Sequence, residues 1–155
     1  ITERQDLVFR EAAIKDNTAS ASNKTATLPL PEEMPTPLHS QSLCGDAVTL
    51  FRFSALTFNS HRIHYDRDYA VQVEGYSGLV VHGPLLAIQL VQFVEQKFAN
   101  DGRSLRHFDF KAVSPVIDTQ HYTLCTGSEA DDGCVPLWIV KNDGVVAMRA
   151  EARFL

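Results

Sequence analysis

Cysteine is scarce in this chain. Cys44, Cys125 and Cys134 make an odd count of three with no CxxC spacing. That argues against a disulfide framework and suits buried or free thiols in a reducing compartment, so an intracellular protein is expected, in the cytoplasm or the mitochondrial matrix. None of the three sits in a Cys–His pattern, so a thiol nucleophile is not expected. No apolar run reaches the ~20 residues that a membrane-spanning helix needs, and no signal-peptide pattern opens the chain. Positive charge is in deficit. A net charge of -5 argues against a nucleic-acid surface and leaves room only for a short basic patch facing an anionic ligand. Internal repeats are also lacking. What remains is ordinary for a globular domain: 155 residues, 45% hydrophobic and 21% charged. The chain starts at Ile1 rather than Met, as expected of a trimmed or processed chain or a fragment.

Composition divides the chain. Residues 1–13 hold one apolar patch, Leu7-Val8-Phe9, a possible strand. Residues 14–42 read as linker, rich in Ala, Ser, Thr and Asn and then punctuated by Pro31, Pro35 and Pro37. Residues 43–155 read as the folded domain. Thr49 to Phe58 is ambiguous between helix and strand. Asn59 to Asp66 is polar, a turn with a short helix. Pro84 suits the first turn of a helix that runs through Leu85, Ile88, Val91, Val94 and Phe98 to about Gly102. This helix is apolar around most of its girth, which predicts a central element with the sheet wrapped around it. Four strands follow, at 105–113, 120–126, 135–141 and 145–154, the last three separated by Asp131-Asp132-Gly133 and Asn142-Asp143-Gly144. The expected class is α+β: an antiparallel sheet wrapped around one long helix.

Two stretches carry chemistry. Asn59-Ser60-His61-Arg62-Ile63-His64-Tyr65-Asp66 packs two imidazoles, an amide and a carboxylate into eight residues. Leu79-Val80-Val81-His82-Gly83-Pro84 is an apolar run that opens the long helix. A proton-transfer group beside a helix N-terminus that can bind an oxyanion is what carbonyl chemistry requires. Plainer readings stand beside this one. A loop histidine is usually a polar surface residue, and Gly83-Pro84 can be no more than a helix start. His61 and His64, three residues apart, could with Asp66 or His82 hold zinc; no further ligand cluster exists in the sequence, and no metal is expected.

Ser54-Ala55-Leu56-Thr57-Phe58-Asn59-Ser60-His61-Arg62-Ile63-His64-Tyr65-Asp66, followed by Gly78-Leu79-Val80-Val81-His82-Gly83-Pro84-Leu85, resembles the MaoC-like, or hydratase-2, hot dog family. The nearest subgroup is the mesaconyl-CoA hydratase and fungal 3-hydroxyacyl-thioester dehydratase type. Phe108-Asp109-Phe110-Lys111 through Pro115-Val116 also resembles the family's first strand after the helix. The likeness runs from about Thr49 to Leu155, and the two motifs together are more specific than either alone. It implies a hot dog fold and an (R)-specific hydratase or dehydratase acting at the 2,3 position of an acyl-CoA or acyl-carrier thioester, with no cofactor besides the thioester substrate. It makes His64 the catalytic acid–base and Gly83 the backbone oxyanion donor. Asn59 stands where the broader family carries Asp. Asn cannot exchange a proton at neutral pH, so its expected part is to hold the attacking water.

His82, Arg62 and Arg67 are assigned to substrate contact. The plainer readings are a structural His82 that fixes the loop before the helix, and solvated arginines. The resemblance also implies a partner. Residues 1–13 would be the remnant of a preceding hot dog unit, and the chain would form a homodimer or pair with a second such unit. Neither a nucleic acid nor a membrane is expected as partner. Two rival functions remain: a hot dog acyl-CoA thioesterase, for which Glu95 is the nearest carboxylate, and a non-catalytic acyl-thioester-binding module in which Asn59 marks lost activity.

Overall fold

The computed structural model describes residues 2–6, 35–99 and 102–155. The chain divides into two units, residues 1–32 and 33–155. In the first, Arg4 pairs with Asp6 at 3.3 Å on the surface; Leu7-Val8-Phe9 lies outside the described residues.

The second unit is a five-stranded antiparallel sheet with two helices. The strands are β1 (His39–Cys44), β2 (Leu105–Ala112), β3 (His121–Thr126), β4 (Cys134–Lys141) and β5 (Val146–Phe154), in spatial order β1-β3-β4-β5-β2. The last three form the expected meander. Its two turns end on Gly133 and Gly144, at φ 76° and 80°, a left-handed conformation that glycine adopts without strain. β1 begins inside the stretch expected as linker, so the sheet starts at His39, and residues 39–42 pair with Thr126 through Thr123. Its polar residues suit an edge strand, where side chains face water.

The ambiguous segment is a helix, α1 (Ala47–Thr57). Asp46 caps it, accepting the Val48 and Thr49 N–H groups at 3.0 Å each. The long helix, α2 (Gly83–Phe98), follows His82 and carries Pro84 in its first turn. Leu86, Ala87, Leu90, Phe93, Val94 and Phe98 form its buried stripe and share one core with Leu124, Leu137, Ile139, Met148, Ala150 and Ala152 of the sheet. Burying each such leucine contributes about 2 kcal/mol. The sheet wraps the expected central helix, and on the face turned away from it Ile88 is 46% exposed.

Between the helices the chain forms a 3-10 turn at Arg62–His64 and a π turn at Tyr69–Val73. It then passes through Leu79-Val80-Val81, which is held on two sides. Leu79 N–H donates to Asp118 Oδ1 at 3.1 Å, Asp118 N–H donates to the Leu79 carbonyl and Val81 N–H to that of Val116. From the other side, Val80 N–H donates to the Ile63 carbonyl at 2.9 Å. Asp118 is buried and also pairs with Arg67. Asp118→Ala would leave a buried N–H without its acceptor and release Arg67. A loss of about 2–4 kcal/mol in unfolding free energy is expected, read as a lower denaturant midpoint at unchanged slope.

Candidate active site

Three imidazoles gather where the 3-10 turn meets the start of α2. The reason is local: Val80, clamped to the 116–118 segment, presents its carbonyl to the turn. His64 Nδ1–H donates to that carbonyl at 2.7 Å in a buried contact. A carbonyl can only accept, so the proton sits on Nδ1 and Nε2 carries a lone pair. Burial holds the His64 imidazole below its usual 6.5; the Val80 carbonyl works against that, and His61 adds a smaller lowering. At neutral pH His64 is therefore an uncharged ring with a free basic nitrogen.

The His64 ring stacks on the His82 ring, with centroids 3.7 Å apart and planes 18° from parallel. His61 meets His64 edge-on at 5.6 Å. His82 is wholly buried. Its Nε2 lies 2.9 Å from Ser54 Oγ, and its Nδ1 has no hydrogen-bond partner among the described residues. Burial first, and then His64, push the His82 pKa down to about 4.

The residue after His82 is Gly83, the first of α2. The leading N–H groups of a helix have no intrahelical acceptor, and they form the positive end of its dipole. Pro84 offers no N–H, so Gly83 supplies the foremost donor. A Cβ placed on Gly83 would meet no atom within 4 Å, which leaves open space beside its α-carbon.

The remaining sequence-predicted residues are placed as follows. Asn59 sits just past the C-cap of α1 and joins the cluster through His61, whose N–H donates to Asn59 Oδ1 at 3.0 Å. Its carboxamide oxygen is thus engaged, and the NH2 is the end left to meet a ligand. Arg62 donates to Asp66 Oδ2 from Nε at 3.1 Å and from Nη2 at 2.7 Å, and its guanidinium lies 4.2 Å from the centre of the Tyr69 ring. Arg67 donates from Nη1 to Asp118 Oδ1 at 3.3 Å. Both arginines are thus committed to carboxylates. Among the described residues no three His, Cys, Asp or Glu side chains are grouped to hold a metal ion. The residue that sequence reasoning missed is Ser54, which sits inside the first motif but 28 residues from the His82 it touches. Glu95 is exposed, twelve residues along α2 from Gly83, or about 18 Å at 1.5 Å per residue.

Three comparisons bear on this geometry. A family model described as hydroxyacyl-thioester dehydratase type 2 matches residues 1–118. A mesaconyl-C(4)-CoA hydratase of Chloroflexus aurantiacus is 38% identical over 97% of this chain and 49% of its own length. The mitochondrial hydroxyacyl-thioester dehydratase type 2 of Schizosaccharomyces pombe is 31% identical over 66% of this chain and 33% of its own. The chain thus spans at most about half the length of these curated relatives. Among solved structures, an (R)-hydratase from A. caviae superposes with a TM-score of 0.62 at 20% identity, covering 78% of this chain and 96% of that one. That likeness identifies the fold as a hot dog.

Proposed function

Because the chain belongs to the hydroxyacyl-thioester dehydratase type 2 family, we propose that it adds water to, or removes it from, the 2,3 position of an acyl thioester by an (R)-specific-type reaction. The observation that carries this reading is the His64–His82 stack. It sets a neutral base against the residue that immediately precedes the free Gly83 amide.

In the hydration direction, water gives a proton to His64 Nε2 as its oxygen bonds to the β-carbon. The electron pair of the double bond moves through the α-carbon to the thioester oxygen, which accepts the Gly83 N–H. Collapse of that enolate takes the proton back from His64 onto the α-carbon, on the face from which water entered. Atoms and charge balance without a cofactor beyond the CoA or carrier thioester that forms the substrate. Asn59 holds the water through its NH2, because its oxygen is occupied by His61.

His82, wholly buried, lies behind His64 and has a structural part. The carboxylate partners of Arg62 and Arg67 favour a bracing role for both over contact with CoA phosphates. Exposed Phe51, Leu56, Phe58 and Ile88 support pairing with a second copy or a second hot dog unit. No helix among the described residues is long and apolar enough to cross a membrane. The mitochondrial name of the S. pombe relative supports a mitochondrial compartment, with the cytoplasm as the other reading. The position of Glu95 disfavours a thioesterase, since it lies twelve residues, about 18 Å of backbone rise, along the helix from Gly83.

The test is a panel of enoyl-CoA substrates followed by loss of enoyl absorbance and by release of free thiol. Absorbance loss without thiol release is expected; equal rates of the two would convert the reading to thioester hydrolysis. Asn59→Asp is expected to keep turnover but to broaden the acid side of the pH profile, because a second titrating group then couples to His64. An inactive wild type that this substitution switches on would show the site to be a relic.

A further inference from the structure

The mechanism uses His64 and Gly83 but leaves unexplained a wholly buried imidazole lying flat against the base. Burying a histidine with one ring nitrogen unpartnered costs free energy, and such a group calls for a reason. His82 also presents its neighbours with a choice. A histidinium needs acceptors for two N–H groups. Nε2 has Ser54 Oγ at 2.9 Å, and Nδ1 has none among the described residues. The surroundings therefore satisfy only the neutral ring. On its other side the edge of Phe53 closes in, with ring centroids 4.8 Å apart at 60°. Ser54 and Phe53 both come from α1, so this helix fixes the orientation of the plate and the α2 N-cap fixes its position.

We propose that Ser54 and His82 are positioning residues for His64: Ser54 holds His82 in the orientation in which burial keeps it a neutral plate, and the stack on that plate makes His64 the one imidazole of the cluster that takes a proton during turnover. The proposal rests on the hydratase reading only for its kinetic arm. Two imidazolium rings 3.7 Å apart would repel each other strongly in a buried site. A neutral ring at the same distance does the opposite: its π face favours a positive charge on the ring it stacks against. The groups facing His64 are His61 from its own turn and His82 from the helix cap. Those facing His82 are His64 and, from α1, the uncharged Ser54 and Phe53. The number of protons that the cluster binds thus depends on whether His82 stays neutral, and its burial, in the orientation that the Ser54 hydroxyl fixes, keeps it so.

Ser54→Ala removes the hydroxyl and frees the ring to turn and admit water. Two measurements read the result. In the ligand-free chain, imidazole nitrogen NMR should show His82 silent from pH 8 down to about 5 in the wild type. In Ser54→Ala it should titrate near the ordinary histidine range. In hydration of an enoyl-CoA, the acid limb of the kcat profile should change from one proton to two, with kcat about tenfold lower at pH 6.5 and KM within twofold. Ser54→Thr, which keeps the hydroxyl, should restore both readings. A merely packing role would reduce the amount of folded protein without changing the proton count. A folded Ser54→Ala protein with a silent His82 and a one-proton limb would overturn the assignment, and so would failure of the threonine variant to restore them. A wild type that turns over no enoyl-CoA would sink the hydratase reading, and the NMR titrations would still decide for or against the Ser54–His82 lock.

Discussion

Replacing His64 by alanine is expected to lower kcat by roughly 10²–10⁴-fold, the range set by loss of a general acid–base. The fold should survive, because the backbone of the 3-10 turn is held independently by Val80 N–H donating to the Ile63 carbonyl. Circular dichroism and the denaturant midpoint measure that survival, and single-turnover hydration of an enoyl-CoA measures the chemistry. The pH dependence has a definite sign. The active form for hydration is the neutral ring, whose pKa burial holds below 6.5. Rate should therefore rise with pH through a midpoint below 6.5 and stay level above it. Dehydration runs the same steps backwards, with the neutral ring taking the α-proton first, and should show the same dependence. A His64→Ala protein that retains wild-type kcat would remove this residue from the mechanism.

Gly83→Pro should be nearly as damaging, with kcat lower by roughly 10²–10³-fold, as for loss of one oxyanion donor. Proline suits the first residue of a helix, and the N–H it lacks has no intrahelical partner there. The preceding residue, His82, has φ -61° and ψ 131°, the extended conformation that a following proline requires. Residue 83 itself precedes Pro84, so the substitution deletes the donor and also restricts the first turn, a restriction that Gly83→Ala shares. Gly83→Ala is the control. It keeps the N–H, and its Cβ meets no atom within 4 Å, so helix stability should hold and activity should stay within about tenfold of wild type. Equal activity of the proline and alanine variants would mean that the amide does not touch the reacting oxygen.

Much of the fold was legible because its signals are short-range. Pro84 with the apolar run after it marks α2, and the two Asp-Gly turns separate β3, β4 and β5 within two residues of the observed bounds. β1 was hidden because His39-Ser40-Gln41-Ser42 is polar and follows a run of prolines. Such an edge strand is held by backbone pairing to β3, which leaves no hydrophobic alternation to read. α1 stayed ambiguous because its apolar residues fit either period. The resolving signal was Asp46, whose carboxylate also accepts the Thr49 hydroxyl at 2.5 Å, a capping pattern visible in the residues themselves.

In the candidate site, the part that is chain-local could be named beforehand: His64, Asn59 and Gly83 are proposed from their motifs. What pairing does to those residues could not. That Arg62 and Arg67 are taken up by Asp66 and Asp118, and that Ser54 reaches His82, depends on how the turns between α1 and α2 are folded over one another.

The clamp around Leu79-Val80-Val81 also bears on the order in which the molecule assembles. The contacts that shape the imidazole cluster join residues 16, 28 and at most 39 positions apart. The sheet edge, by contrast, brings His39 to Thr126. Closing the shorter loops costs less chain entropy, and contacts of short sequence separation form sooner. By separation alone the histidine cluster and the β3–β4–β5 meander, whose pairs run from Tyr122–Lys141 to Val140–Val146, both close before the β1 edge. The imidazole cluster and the meander are thus two local assemblies, and the polar strand β1 is the piece that joins last.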